Sequence, residues 1–261
     1  MESLEQNISL VKAEIIKEFF DPFENEELKN FIILNSKFIR SKFVVLYLKT
    51  LGLNISSDII KILAIGEIIH SASLLHDDVI DNAESRRGEK TIGELHSSKI
   101  SILAGDYLLA YAIEKLQDLN NNKILKLFKD CTKNMVKAEF KQYFLRKQIP
   151  TFDVYIDICK GKTANLFSTI LESCCFILNL NSQQGKVFSE KFGIYFQLKN
   201  DLEKESEMCD KRNEIYTLKD IVGVEKSFVL LDNYKEELKE LLFSLPNNNY
   251  REILEDLINL V

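Results

Sequence analysis

Proline and glycine are scarce in this chain, with three prolines and nine glycines in 261 residues. Turns depend on those residues, so a sheet protein of this length is excluded and long helices joined by short connections are expected. Missing too is any apolar run approaching the roughly 18 residues that cross a bilayer, so no transmembrane segment is expected. The opening MESLEQNISLVKAEIIKEFF is charged and amphipathic, without the apolar block of a signal peptide. The five cysteines, at 131, 159, 174, 175 and 209, are odd in number and irregularly spaced. They form neither a zinc clip nor a disulfide framework and point to free thiols in a cytoplasmic, reducing setting. There is no positive balance either. A net charge of −6 argues against a broad grip on nucleic acid. It leaves room for small polyanions held through divalent cations, which invert the local charge.

What is present is a chain of 46% apolar residues, enough for one sizeable core. Helical periodicity predicts helices over about 3–19, 25–52, 57–82, 98–118, 121–146, 152–180, 184–207, 217–242 and 247–260. Pro150 and Pro246 fall in linkers, and Ser56 reads as the N-cap of the third helix. No shift in composition marks a boundary. The expectation is an all-α, single-domain bundle of about ten helices covering residues 1–261.

The segment EIIHSASLLHDDVIDNAESRRG, Glu67 to Gly88, carries the strongest signal. Asp77 and Asp81 are four residues apart and share a helix face. Asp78 lies about 100° round from Asp77. Three carboxylates thus crowd the end of an apolar helix that already carries partial negative charge. A solvated acidic end is the plainer reading of such a triplet taken alone. The apolar run before it and Arg86 and Arg87 after it favour a site for a hard cation, Mg²⁺, that brings substrate phosphates with it.

HDDVIDNAESRRG resembles the first aspartate-rich motif of the trans-type polyprenyl diphosphate synthases. The likeness runs through most of the chain. LAGDYLLA at 103–110 resembles the family's GD-containing helix, and Glu139 and Gln142 fit its E-x-x-Q pattern. KTANLF at 162–167 is similar to its K-T-x-x-L-F motif, FQLKNDLEK at 196–204 to its second aspartate-rich motif, and IYTL at 215–218 to a stretch beyond. The resemblance implies an isoprenoid-synthase bundle around a central cleft. It implies an enzyme that ionises an allylic diphosphate and adds isopentenyl diphosphate to the carbocation. It assigns Asp77 and Asp81, with Asp78 in support, and Asn200 and Asp201 of the second motif, to magnesium. Arg86, Lys162 and Thr163 would hold the allylic diphosphate, and Gln142 and Gln197 would serve the same site. Isopentenyl diphosphate would use Lys37, Arg40, His70 and Arg87. His70 precedes Asp77 by two helical turns and points to the same side. His76 and His96 read as structural.

Two departures stand out. The family's G-G-K-R-x-R-P appears as NSKFIRS, residues 35–41, without its glycines or proline. The second motif has Asn200 for its first Asp and Lys204 for its last, with Glu205 available as a substitute ligand. They leave two alternatives to an active synthase: a regulatory subunit of a heteromeric enzyme, and a class I terpene cyclase, whose metal motif NDLEKESE faintly resembles. A cyclase has no use for a second diphosphate site. The resemblance further implies a homodimer, possibly a heteromer, with 98–146 as the interface. Ala72 and Ser73, five and four residues before Asp77, are small where bulky aromatics stop growth in short-chain relatives. Products longer than fifteen carbons are expected, with the next obstruction at Ile69 or around Tyr107 to Tyr111.

Overall fold

The structure, a computed structural model, describes residues 3–19, 26–33, 36–86, 88–202 and 213–261. Contacts within the chain gather into two compact units, Met1–Val45 with Ile55–Leu125, and Leu46–Asn54 with Lys126–Val261. Both are built from helices; among the described residues the only strands are a two-residue pair.

In the first unit α1 (Leu4–Phe19) and α2 (Glu26–Ile33) pack on α4 (Ser57–Ile80). After α4 come β1 (Ser85–Arg86), β2 (Glu89–Lys90), α5 (Ile92–Leu95) and α6 (Ser98–Asp118), which lies along α4. α4 starts where the Ser56 side chain accepts the Ile59 amide. It is apolar nearly all round, the pattern of a helix enclosed by others. Taken as a composition over eighteen residues, with Lys61 and Glu67 allowed, α4 is long and apolar enough to cross a membrane. Yet 72% of that window is buried, as in the core helix of a folded domain. Val11, Ile15, Ile59, Leu63, Leu75 and Leu108 are all sealed from solvent around it.

The single helix expected over 25–52 is two. α2 ends at Ile33 and α3 runs Ile39–Thr50. Between them Phe38 takes a φ of 53° with its ring buried. Phe38, in the left-handed region directly before α3, marks a break in the helical path that no glycine or proline announces.

The second unit holds α7 (Asn122–Phe144) from Lys126 on, α8 (Phe152–Cys159), α9 (Asn165–Ile177), α10 (Gln183–Asn200), α11 (Leu218–Val222), α12 (Val224–Phe243) and α13 (Asn249–Leu260). The helix expected over 152–180 is interrupted by a π-helical turn, Lys160–Ala164, so that the Asn165 amide reaches back to the Lys160 carbonyl. The helix expected over 217–242 breaks at Gly223, whose φ is 85°. The 203–207 end of the helix expected over 184–207 lies outside the described residues. The π-turn is wedged between small residues: a Cβ on Gly161 would stand 2.5 Å from Ala138 Cβ of α7, and one on Gly193 of α10 would overlap Ala164. Beneath it Tyr155, Cys159, Ala164, Ile194, Leu198 and Leu218 form one buried cluster.

Candidate active site

The acidic end of α4 is shaped by how the helix stops. Asn82 takes a φ of 49°, its amide meets the Val79 carbonyl at 3.3 Å, and the Ala83 amide meets the Asp78 carbonyl at 2.9 Å. This is a Schellman stop, with asparagine in the left-handed position. It sets Asp77, Asp78 and Asp81 in the last turn and at the cap. Asp77 and Asp81 are half-buried, while Asp78 is sealed in. The short strand pair then turns through Gly88, at φ 84°, and carries Arg86 back. Arg86 Nε and Nη2 both donate to Asp78 Oδ1, at 2.9 and 2.7 Å. The second oxygen, Oδ2, is buried with no hydrogen bond among the described residues. Burial raises the Asp78 carboxyl above its usual range, and the Arg86 charge opposes that shift. Asp78 therefore holds an arginine, a task the sequence did not suggest for it. Arg87 lies outside the described residues.

Among the described residues no three His, Cys, Asp or Glu side chains gather closely enough to hold a metal alone. Asp77 and Asp81 offer hard oxygen donors one turn apart. That suits Mg²⁺, which keeps waters and takes substrate phosphate oxygens for the rest of its shell.

Lys37 and Arg40 lie in unlike surroundings: Lys37 is exposed and Arg40 is buried. Arg40 sits in the field of Glu67, a fully buried carboxyl of α4 raised by burial and opposed mainly by that arginine. Glu67 Oε1 also accepts from the Ser41 amide and hydroxyl at 3.0 and 2.7 Å, tying down the start of α3. A lone acid in an apolar helix, one turn before His70, was the available signal for Glu67. His70 is half-buried, and its carbonyl accepts the Ser73 hydroxyl at 2.7 Å. Ala72 is sealed and Ser73 half-buried. His76 Nε2 lies 3.2 Å from Asp106 Oδ1.

In the second unit the π-turn presents Lys162 and Thr163. Such turns recur at functional sites because they re-aim side chains within a helix. Lys162 Nζ donates to Gln142 Oε1 at 2.5 Å and pairs with Glu139 Oε2 at 2.5 Å, so the E-x-x-Q pattern and the K-T motif meet. Thr163 Oγ1 donates to Gln197 Oε1 at 2.7 Å, and Gln197 Nε2 donates to Asp201 Oδ1 at 2.7 Å. Tyr155 Oη donates to Asp201 Oδ2 at 2.5 Å. Burial pushes the Asp201 carboxyl up to about 6, against the hydrogen bonds from Tyr155 and Gln197 and the charge of Lys162. Asn200, half-buried, is the last residue of α10. Lys204 and Glu205 lie outside the described residues. Tyr155 was not singled out from sequence. Its place seven residues, about two turns, before Lys162 was the signal.

A family model described as polyprenyl synthetase matches residues 24–257. A prenyl transferase of Cyanidium caldarium is 30% identical over 193 residues, covering 70% of this chain and 58% of that one. A decaprenyl-diphosphate synthase of Dictyostelium discoideum is 33% identical over 176 residues, covering 65% and 38%. The chain thus spans less than two thirds of the length of these relatives. The crystal structure of a decaprenyl diphosphate synthase from Rhodobacter capsulatus shares the all-α fold with a TM-score of 0.87 at 22% identity, covering 98% of this chain and 95% of that one. With these motifs in order and the family model spanning nearly its whole length, the chain belongs to the polyprenyl synthetase family.

Proposed function

We propose that this chain is an active, magnesium-dependent prenyltransferase that joins isopentenyl diphosphate to an allylic diphosphate and makes products longer than fifteen carbons. The observation that carries the reading is the end of α4: two half-buried carboxylates one turn apart, with Arg86 folded back onto the third. Bound there, magnesium would supply electrostatic stabilisation of the leaving diphosphate. The chain's own part is to present Asp77 and Asp81 for the cation. Arg86, Lys162 and Thr163 neutralise and orient the allylic diphosphate, and Arg40 and His70 serve the second substrate. Before substrate arrives Lys162 is held by Glu139 and Gln142, so a diphosphate takes over a cation already fixed in place. The product length rests on the small residues Ala72 and Ser73, one turn before Asp77 on α4. The long-chain relative named above supports the same reading.

We read residues 24–257 as one synthase domain, because the family model runs unbroken across both units. Exposed apolar side chains on α6 (Leu103, Tyr107, Ile113) and, separately, on α7 (Val136, Phe140, Phe144) support self-association through 98–146. The described cysteines are free and buried, in keeping with a cytoplasmic, reducing setting. The uncharged Asn200 favours a second reading, a regulatory subunit of a heteromeric synthase. Purified protein with Mg²⁺, isopentenyl diphosphate and a geranyl or farnesyl diphosphate primer decides between them. Extension of the primer beyond fifteen carbons supports the synthase. Inertness alone with turnover on adding a second subunit supports the regulatory reading.

A further inference from the structure

The second aspartate-rich motif contains a carboxylate whose two oxygens are both engaged by side chains of its own unit. Asp201 is 7% exposed; Tyr155 donates to one oxygen at 2.5 Å and Gln197 to the other at 2.7 Å. Ionised carboxylates only accept, and an amide has one accepting and one donating end. Asp201 therefore draws the NH₂ of Gln197 toward itself, which turns Gln197 Oε1 to the Thr163 hydroxyl at 2.7 Å. The chain of contacts begins in the apolar cluster that seats Tyr155 and ends in the π-turn that carries Lys162.

We propose that Tyr155 and Asp201 are positioning residues rather than metal ligands: together they fix the amide of Gln197 and, through Thr163, the π-turn that presents Lys162 and Thr163 to the allylic diphosphate. The destination of the relay rests on the function proposed above; the relay itself does not. Each Asp201 oxygen already accepts one side-chain hydrogen bond in a buried setting, so a cation would have to compete with Tyr155 and Gln197 for it. Tyr155 differs from phenylalanine here only in the hydroxyl that completes the relay.

The test uses the whole protein with Tyr155→Phe, Asp201→Asn, Thr163→Val and Thr163→Ser. Hydrogen–deuterium exchange of the 160–165 peptide is measured without substrate or metal, beside a peptide of α6 as control. Faster exchange of 160–165 is expected in Tyr155→Phe, Asp201→Asn and Thr163→Val. The control should be unchanged and Thr163→Ser should stay at the wild-type rate. In turnover, the KM for the allylic diphosphate should rise by about tenfold in Asp201→Asn, as for loss of a group that orients a ligand, with half-maximal magnesium within about twofold. Wild-type exchange in both Tyr155→Phe and Asp201→Asn overturns the relay. So does an Asp201→Asn protein with unchanged exchange and a magnesium requirement raised more than about tenfold, the behaviour of a direct ligand. A chain with no synthase activity would remove the proposed reaction yet leave the exchange result to decide the relay.

Discussion

Gly193 of α10 lies directly against the backbone of Ala164, so closely that a Cβ at 193 would overlap Ala164 Cα. Gly105 of α6 stands in a similar relation to the imidazole of His76. The two differ in what must yield. Backbone in a π-turn between two helices cannot move aside, whereas a partly exposed imidazole can swing. Gly193→Ala should cost about 3 kcal/mol and Gly105→Ala about 1 kcal/mol, the range of overpacked cores. Urea unfolding measures both, and equal losses would contradict the close approach.

Asp77→Ala or Asp81→Ala should abolish turnover, because each removes half of the oxygen pair at the end of α4. Retention of more than about a tenth of wild-type rate, roughly 1.4 kcal/mol of barrier, would sink the assignment. Asn200→Asp should lower the magnesium needed for half-maximal rate by restoring a charge. An unchanged requirement would take Asn200 out of the metal's surroundings.

Arg86→Met strands the buried Asp78 carboxylate. The guanidinium is about one third exposed, so the loss falls below that of a fully buried pair, about 2 kcal/mol. Asp78→Asn added to Arg86→Met should recover more than half of it, since the uncompensated charge is then gone. A double variant as unstable as the sum of the singles would show that the pair is not coupled.

The raised Asp201 carboxyl, at about 6 against an ordinary 3.8, makes a directional claim. Between those values the folded protein binds more protons at this site than the unfolded chain, so stability falls as pH rises from about 4 to about 6. Relative to Asp201→Asn, which carries no proton there, the wild type should lose about 2 kcal/mol over that window. Denaturant titrations of both proteins at pH 4, 5, 6 and 7 give the difference curve. A flat one contradicts the shift.

Ser73→Phe and Ala72→Phe should diverge. Ala72 has no exposed surface, so a ring there overpacks the core at about 1–3 kcal/mol. Ser73 is half-buried and gives up one bond to the His70 carbonyl. Ser73→Phe should thus shorten the product at nearly normal stability, while Ala72→Phe shows a lower thermal midpoint. Chromatography of the dephosphorylated products decides it; unchanged length in Ser73→Phe would place the floor elsewhere.

The start of α4 was legible from its cap at Ser56, and the span of α6 from the periodicity across 98–118. The break before α3 was not. Asn35, Ser36 and Lys37 interrupt the apolar pattern, but with no glycine or proline among them they pass for exposed helix positions, and the strained turn falls on phenylalanine. The π-turn was hidden for a related reason: KGKTA reads as ordinary helix, and one extra residue in a hydrogen-bonded ring leaves no mark on composition. Asp77, Asp81, Lys162 and Thr163 were found because a charge pattern or a motif exposes them. Tyr155 and Glu67 were not, because each acts through another residue and its neighbours in sequence are apolar.

The π-turn is also a splice. Its wide ring takes up one extra residue, so α9 leaves it with nearly the facing it would have beyond an unbroken α-helix. Removing one residue from 160–164 would let an ordinary α-helical ladder close across the gap and should leave Leu166, Phe167, Ile170 and Cys174 buried as before. What such a deletion removes is the local re-aiming of Lys162 and Thr163, so it should be tolerated by the fold and felt at the site.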